Sequence, residues 1–215
     1  MKNRKLLVAA TSTALVAVVG IGATLAYFTD SDDATNVVTM GHVDINLTEA
    51  STDEKATEVI PEEGITFDNV MPGDDIEKIP TITLEDGSRD AWVRMKMQVT
   101  PTEENGIAQD KLYELEGLLR TDITETGDWY YSEADGYYYY NQALTNEDGG
   151  IKSVDFFQNV HIPEGWTNND AADKSFQIVL QAEAIQEENV NPTMDEDMVT
   201  AWPTAEIQQY TTTTE

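Results

Sequence analysis

Beyond residue 42, apolar and polar positions alternate with a period of two along most of the chain. Val43, Ile45 and Leu47 are separated by Asp44 and Asn46; Ala91, Val93, Met95, Met97 and Val99 by Trp92, Arg94, Lys96 and Gln98. Phe176, Ile178, Leu180, Ala182 and Ala184 continue the pattern, although Val179 and Ile185 interrupt its polar side. Each run predicts a strand with one face in a core. Residues 76–84 and 153–162 carry weaker versions of the same signal. Met71-Pro72-Gly73-Asp74 and Asp86-Gly87-Ser88 are turn sequences, because proline fixes φ and glycine accepts positive φ. Asp135-Gly136 between Trp129-Tyr130-Tyr131 and Tyr137-Tyr138-Tyr139-Tyr140 predicts a hairpin. Its alternation sets Tyr137 and Tyr139 on one face, Tyr138 and Tyr140 on the other. Leu112, Leu115, Leu118 and Leu119 recur at helical spacing, with Arg120 expected to complement the dipole at the helix end. These elements together predict a mostly β fold, an antiparallel sandwich with one inserted helix. Residues 49–63 and 204–215 are expected to be loosely ordered.

The first 26 residues break this pattern. Lys2, Arg4 and Lys5 precede an apolar run from Leu6 to Ala26, and Thr24-Leu25-Ala26 offers small side chains at the first and third positions before a cut. That layout predicts a secretory signal, with signal-peptidase recognition at Thr24 and Ala26 and a mature chain starting at Tyr27. A run of about 20 residues also suffices to span a bilayer, so a retained anchor is the alternative. The predicted organisation is a signal peptide at 1–26, an N-terminal segment at 27–41, a sandwich domain at 42–190 and an acidic, Thr-rich tail at 191–215. Membrane contact is expected of the precursor alone.

Charge narrows the partners. The chain holds 12 Lys and Arg against 41 Asp and Glu, a net charge of −29, and losing the three N-terminal cations brings it to about −32. Nucleic acid needs clustered cations and is excluded. There is no cysteine, so no disulfide holds the fold and no thiolate serves as nucleophile or ligand.

Gly22-Ala23-Thr24-Leu25-Ala26-Tyr27-Phe28-Thr29-Asp30, then Thr39-Met40-Gly41-His42-Val43-Asp44-Ile45-Asn46-Leu47, resembles the signal junction of the TasA and camelysin family of Gram-positive bacteria. Val70-Met71-Pro72-Gly73-Asp74 with Trp92-Val93-Arg94-Met95-Lys96 is similar to the family's turn and next core strand, and Ala182-Glu183-Ala184-Ile185-Gln186 to its closing strand. The resemblance runs with gaps to about residue 190. It implies a jelly-roll-like domain, cut by a dedicated signal peptidase, that polymerises with itself and joins other matrix components in an extracellular fibre or biofilm. The Tyr-rich hairpin and the extreme charge depart from the family pattern.

Chemistry in the residues is sparse. An extended peptide can add to an open sheet edge, and the segment freed at Tyr27 carries Tyr27, Phe28, Val37, Val38 and Met40 as anchors for such assembly; the alternative is that it packs on its own domain or frays. Some relatives bear a metallopeptidase label, but zinc proteases need convergent ligands, commonly His-Glu-x-x-His, and only His42 and His161 are present. No catalytic residue, metal ligand or cofactor is therefore expected. Asp30-x-Asp32-Asp33, Asp74-Asp75 and Asp195-Glu196-Asp197 offer oxygens to Ca²⁺, without an EF-hand loop; diffuse counterion condensation is the plainer expectation. The aromatic hairpin reads either as cross-strand packing or as an exposed carbohydrate or subunit contact.

Overall fold

A computed structural model describes residues 41–60 and 64–203. Two antiparallel sheets carry the fold. In one, β5 (Ile79–Leu84) lies between β1 (Ile45–Ala50) and β9 (Ser153–Asp155). In the other, the order is β11 (Phe176–Gln186), β6 (Ala91–Pro101), β8 (Tyr137–Tyr140) and β7 (Trp129–Ser132). Three pairs flank them: β2 (Ala56–Ile60) with β3 (Gly64–Phe67), β4 (Asp75–Glu77) with β10 (Asn159–His161), and β12 (Thr193–Asp195) with β13 (Met198–Ala201).

The alternation explains the core. Ile82 and Leu84 of β5 and Ala91, Val93 and Met95 of β6 are fully buried between the sheets. They meet Tyr138 and Tyr140 of β8 and Phe156, Phe157 and Val160 around β9 and β10. One long helix, α1 (Gln109–Glu125), packs on β6, β7 and β10 and adds Leu112, Leu115, Leu119 and Ile123 to the same core. A single further turn, α2 (Asn168–Ala171), is closed by a reciprocal capping box between Thr167 and Asp170. The fold is thus the expected mostly β sandwich with its inserted helix.

Several local expectations need correction. Leu118 is 39% exposed, and Ile123 takes the fourth buried position on the helix. The helix continues a turn beyond Arg120 and has no cation in its last turn. Arg120 lies instead with its guanidinium 4.0 Å from the Tyr131 ring centroid, a cation–π contact. Residues 49–60 and 64–67 are ordered by the end of β1 and the β2–β3 hairpin, where Asp53 accepts from the Lys55 amide and Glu49 pairs with Lys78. A boundary at residue 190 cuts through packed structure: Val190, Val199 and Trp202 are buried against Tyr139 and Ile185. The β12–β13 hairpin therefore belongs to the folded body.

Candidate assembly face

The Tyr-rich hairpin fixes the orientation of the second sheet. Asp135 and Gly136 turn the chain, with Gly136 at φ +75° and its amide donating to the Ser132 carbonyl at 2.8 Å. Tyr138 and Tyr140 then point into the core, while Tyr137 and Tyr139 point outward beneath the C-terminal hairpin. Tyr138, Tyr139 and Tyr140 are all buried, which favours cross-strand packing over an exposed aromatic surface. The partly exposed Tyr130 and Tyr131 line a groove of about 250 Å³ with Arg120, Thr124, Trp129 and Met198, but Arg120 covers the Tyr131 ring.

Beneath the C-terminal hairpin a polar cluster is sealed into the outer face of this sheet. Arg94 donates through Nε (2.9 Å) and Nη2 (2.5 Å) to Glu183 Oε2, and through Nη1 to the Tyr139 hydroxyl at 3.0 Å. Its guanidinium lies 3.8 Å from the Tyr137 ring centroid and 4.3 Å from that of Trp202. Tyr137 donates to Glu183 Oε1 and Tyr139 to Asp135. Burial works against the Arg94 charge, but the bonds to Glu183 and Tyr139 outweigh it and hold the group above its ordinary pKa. Burial pushes the Tyr139 phenol up to about 12, helped by Asp135 and opposed by Arg94.

The open region lies at the other margin of the sandwich. Trp129 Nε1 donates to the Asp155 carbonyl at 3.1 Å, tying β7 to β9. That bond sets β7 beside β9, and β1 and β11 are the end strands at the opposite ends of their sheets. Among the described residues, β1 pairs only with β5 and β11 only with β6. Their core-facing side chains stay partly exposed: Val43, Ile45 and Leu47 near β1, and Phe176, Ile178, Leu180, Ala182 and Ala184 on β11. Sheet edges are usually protected by charge, proline or bulges. β11 is 11 residues long, pairs without a register shift and has no proline; its only charged residue, Glu183, is occupied by Arg94. Among the described residues it presents a long strand edge beside partly exposed core side chains.

The residues assigned to cleavage and assembly from sequence, Thr24, Ala26, Tyr27, Phe28, Val37, Val38 and Met40, lie outside the described residues. What the structure adds is an edge that could receive an extended segment. No sequence signal marked that edge, because an edge is a property of strand order.

An antiparallel β-sandwich whose β11 edge has no partner among the described residues defines the class. The chain belongs to the camelysin family: a family model described as camelysin metallo-endopeptidase matches residues 2–124, over half of its length. No curated protein and no solved structure matches it.

The family description implies a metal, and the described residues do not fit one. Among them no three His, Asp or Glu side chains converge into a possible metal-binding group. His42 and His161 are both exposed, and they lie at opposite ends of β5: the His42 carbonyl accepts from Arg89 just past its end, while His161 pairs with Asp75 before its start. Asp74 is also committed. Its carboxylate accepts from the Met71 amide at 2.6 Å and pairs with Lys55 at 3.0 Å, and these partners, the amide first, hold its pKa below the ordinary range. Among the described residues no helix is long and apolar enough to cross a membrane.

Proposed function

We propose that this chain is an exported structural subunit of an extracellular fibre or biofilm matrix. A dedicated signal peptidase cuts after Ala26, and the freed segment from Tyr27 to Met40 of one copy adds as a strand to the next copy. The observation that carries this reading is the β11 edge, unguarded by charge or proline and bordered by partly exposed core side chains. An added strand would satisfy its backbone N–H and C=O groups and cover Ile178, Leu180 and the neighbouring side chains. Other matrix components are further partners, and no cofactor is required.

Repulsion opposes assembly. Copies carrying about −32 each approach only when salt shortens the Debye length, which is roughly 30 Å at 0.01 M and about 8 Å at 0.15 M. Fibres are therefore expected to be scarce at low salt and abundant at physiological salt. Bridging of the acidic clusters by Ca²⁺ would promote them further. Negative-stain microscopy and light scattering on mature protein, with and without residues 27–36, test the reading. If the shortened chain polymerises as readily as the intact one, strand exchange is wrong.

The family description favours a second reading, a secreted metallopeptidase. Chelator-sensitive casein cleavage by the pure protein, lost on His42→Ala or His161→Ala, would establish it in place of the first.

A further inference from the structure

The outer face of the four-stranded sheet divides into two halves. Toward one end the C-terminal hairpin covers Trp92, Ile185, Tyr139 and the Arg94–Glu183 pair. Toward the other end the strand register sets three cross-strand pairs side by side: Lys96 with Gln181, Gln98 with Val179, and Thr100 with Gln177. Tyr137 of β8 extends the first row, opposite Lys96. Val179 is 47% exposed, and Gln98, Gln177 and Gln181 are exposed too.

Among the described residues no exposed carboxylate stands on this half. That is unusual in a chain with 41 acids among 215 residues. The nearest acid on the same face, Glu183, is buried and paired with Arg94, and Asp135 sits at the rim, in the β7–β8 turn. Lys96 supplies a positive charge, its Nζ 5.2 Å from the Tyr137 ring centroid. The outer face of the other sheet differs, since Asp155 stands exposed there beside Thr81.

We propose that this carboxylate-free half-face, centred on Val179 and Gln98, is where a second copy of the chain packs face to face. Charge selects the occupant. Most approaches between two copies bring acids within a Debye length, whereas this one brings together amides, a threonine, a valine and a lysine on each side. Exposed Gln98 and Gln177 supply donors and acceptors to their counterparts, Gln181 donates to Glu183 Oε1 of its own chain at 3.1 Å, and Val179 supplies the apolar centre. The patch is small beside the roughly 800 Å² per partner of a stable dimer. The contact is therefore weak and is expected at protein concentrations on the order of 1 mM, or wherever subunits are already held close. It does not depend on strand exchange.

Sedimentation equilibrium of the mature protein at physiological salt, across that concentration range, tests it. The wild type should show a reversible dimer, weakened at least tenfold by Val179→Glu and unchanged by Thr57→Glu, which adds the same charge to the β2–β3 hairpin. Mixing Val179→Glu with Val179→Lys copies should restore association as a heterodimer, which a folding defect would not produce. A wild type that stays monomeric, a Val179→Glu dimer as tight as the wild type, or no recovery on mixing each overturns the proposal. Microscopy separates this from the fibre reading: fibres that survive Val179→Glu while the dimer is lost support both, and a dimer without fibres leaves this proposal standing alone.

Discussion

Tyr138 and Tyr139 are neighbours in sequence and live in different kinds of interior. Tyr138 points between the sheets among apolar side chains, and its hydroxyl is buried near the Arg120 guanidinium without a well-formed hydrogen bond. Tyr139 points the other way, into the cluster under the C-terminal hairpin, where its hydroxyl accepts from Arg94 and donates to Asp135. The first interior is held by filled volume; the second by a polar network whose members must all be present. Fully paired, such a network fixes one arrangement, but losing one member leaves a buried charge.

The largest effect is therefore expected from the network. Glu183→Ala leaves Arg94 charged and unpaired between Tyr137 and Trp202, and should cost about 3–5 kcal/mol in denaturant unfolding. Replacing Arg94 and Glu183 together with leucine should recover most of that loss. If the double variant is as unstable as the single one, the difference between the two interiors disappears. Leu115→Ala in the main core should cost about 2–5 kcal/mol through lost burial and a residual cavity, with no partner substitution able to restore it.

The two tyrosines sharpen the contrast on a smaller scale. Tyr139→Phe removes two hydrogen bonds and should cost about 1–3 kcal/mol; Tyr138→Phe removes an unpaired hydroxyl and should change stability by less than about 0.5 kcal/mol or raise it.

Alkaline pH provides the last test. Burial pushes both phenols up to about 12, from an ordinary value near 10. The folded state holds these protons more tightly than the unfolded state, so their contribution to stability is full below pH about 10 and is lost as pH rises through about 12. Melting temperature should fall across that window, and two of the nine tyrosines should ionise only as the protein unfolds, seen in ultraviolet absorbance. Tyr138→Phe should flatten the fall.

What the sequence revealed was local. The alternation in β6 and β11, the Asp135-Gly136 turn and the leucine spacing of α1 each follow from neighbours a few residues apart, and each element forms where its pattern stands. The C-terminal hairpin escaped because Asp195, Glu196 and Asp197 make its turn look like a solvated tail, leaving Val199 and Trp202 as its apolar signal. A hint lay elsewhere: Ile185 interrupts the polar side of β11 because the hairpin covers it. The Arg94–Glu183 pair joins positions 89 residues apart, a separation no local periodicity reports. The same holds for the β11 edge, whose open state follows from the order of four strands. The edge proposed to receive the segment after Tyr27 was not legible in the sequence.

The central strand of the larger sheet also sets a timetable. β6 lies between β8 and β11, and the family match ends at residue 124, before either neighbour has been made. Residues 41–124 alone would leave both edges of β6 unpaired, so the matched stretch does not constitute a folding unit. Pairing across 89 residues also carries a high loop-closure cost, which slows folding. The β11 edge comes into being only after β6, β8 and β7 have been made, because β11 follows all three in the chain. A growing polypeptide is therefore unable to offer that edge to its neighbours until residue 186 has emerged, and the order of synthesis itself delays premature pairing.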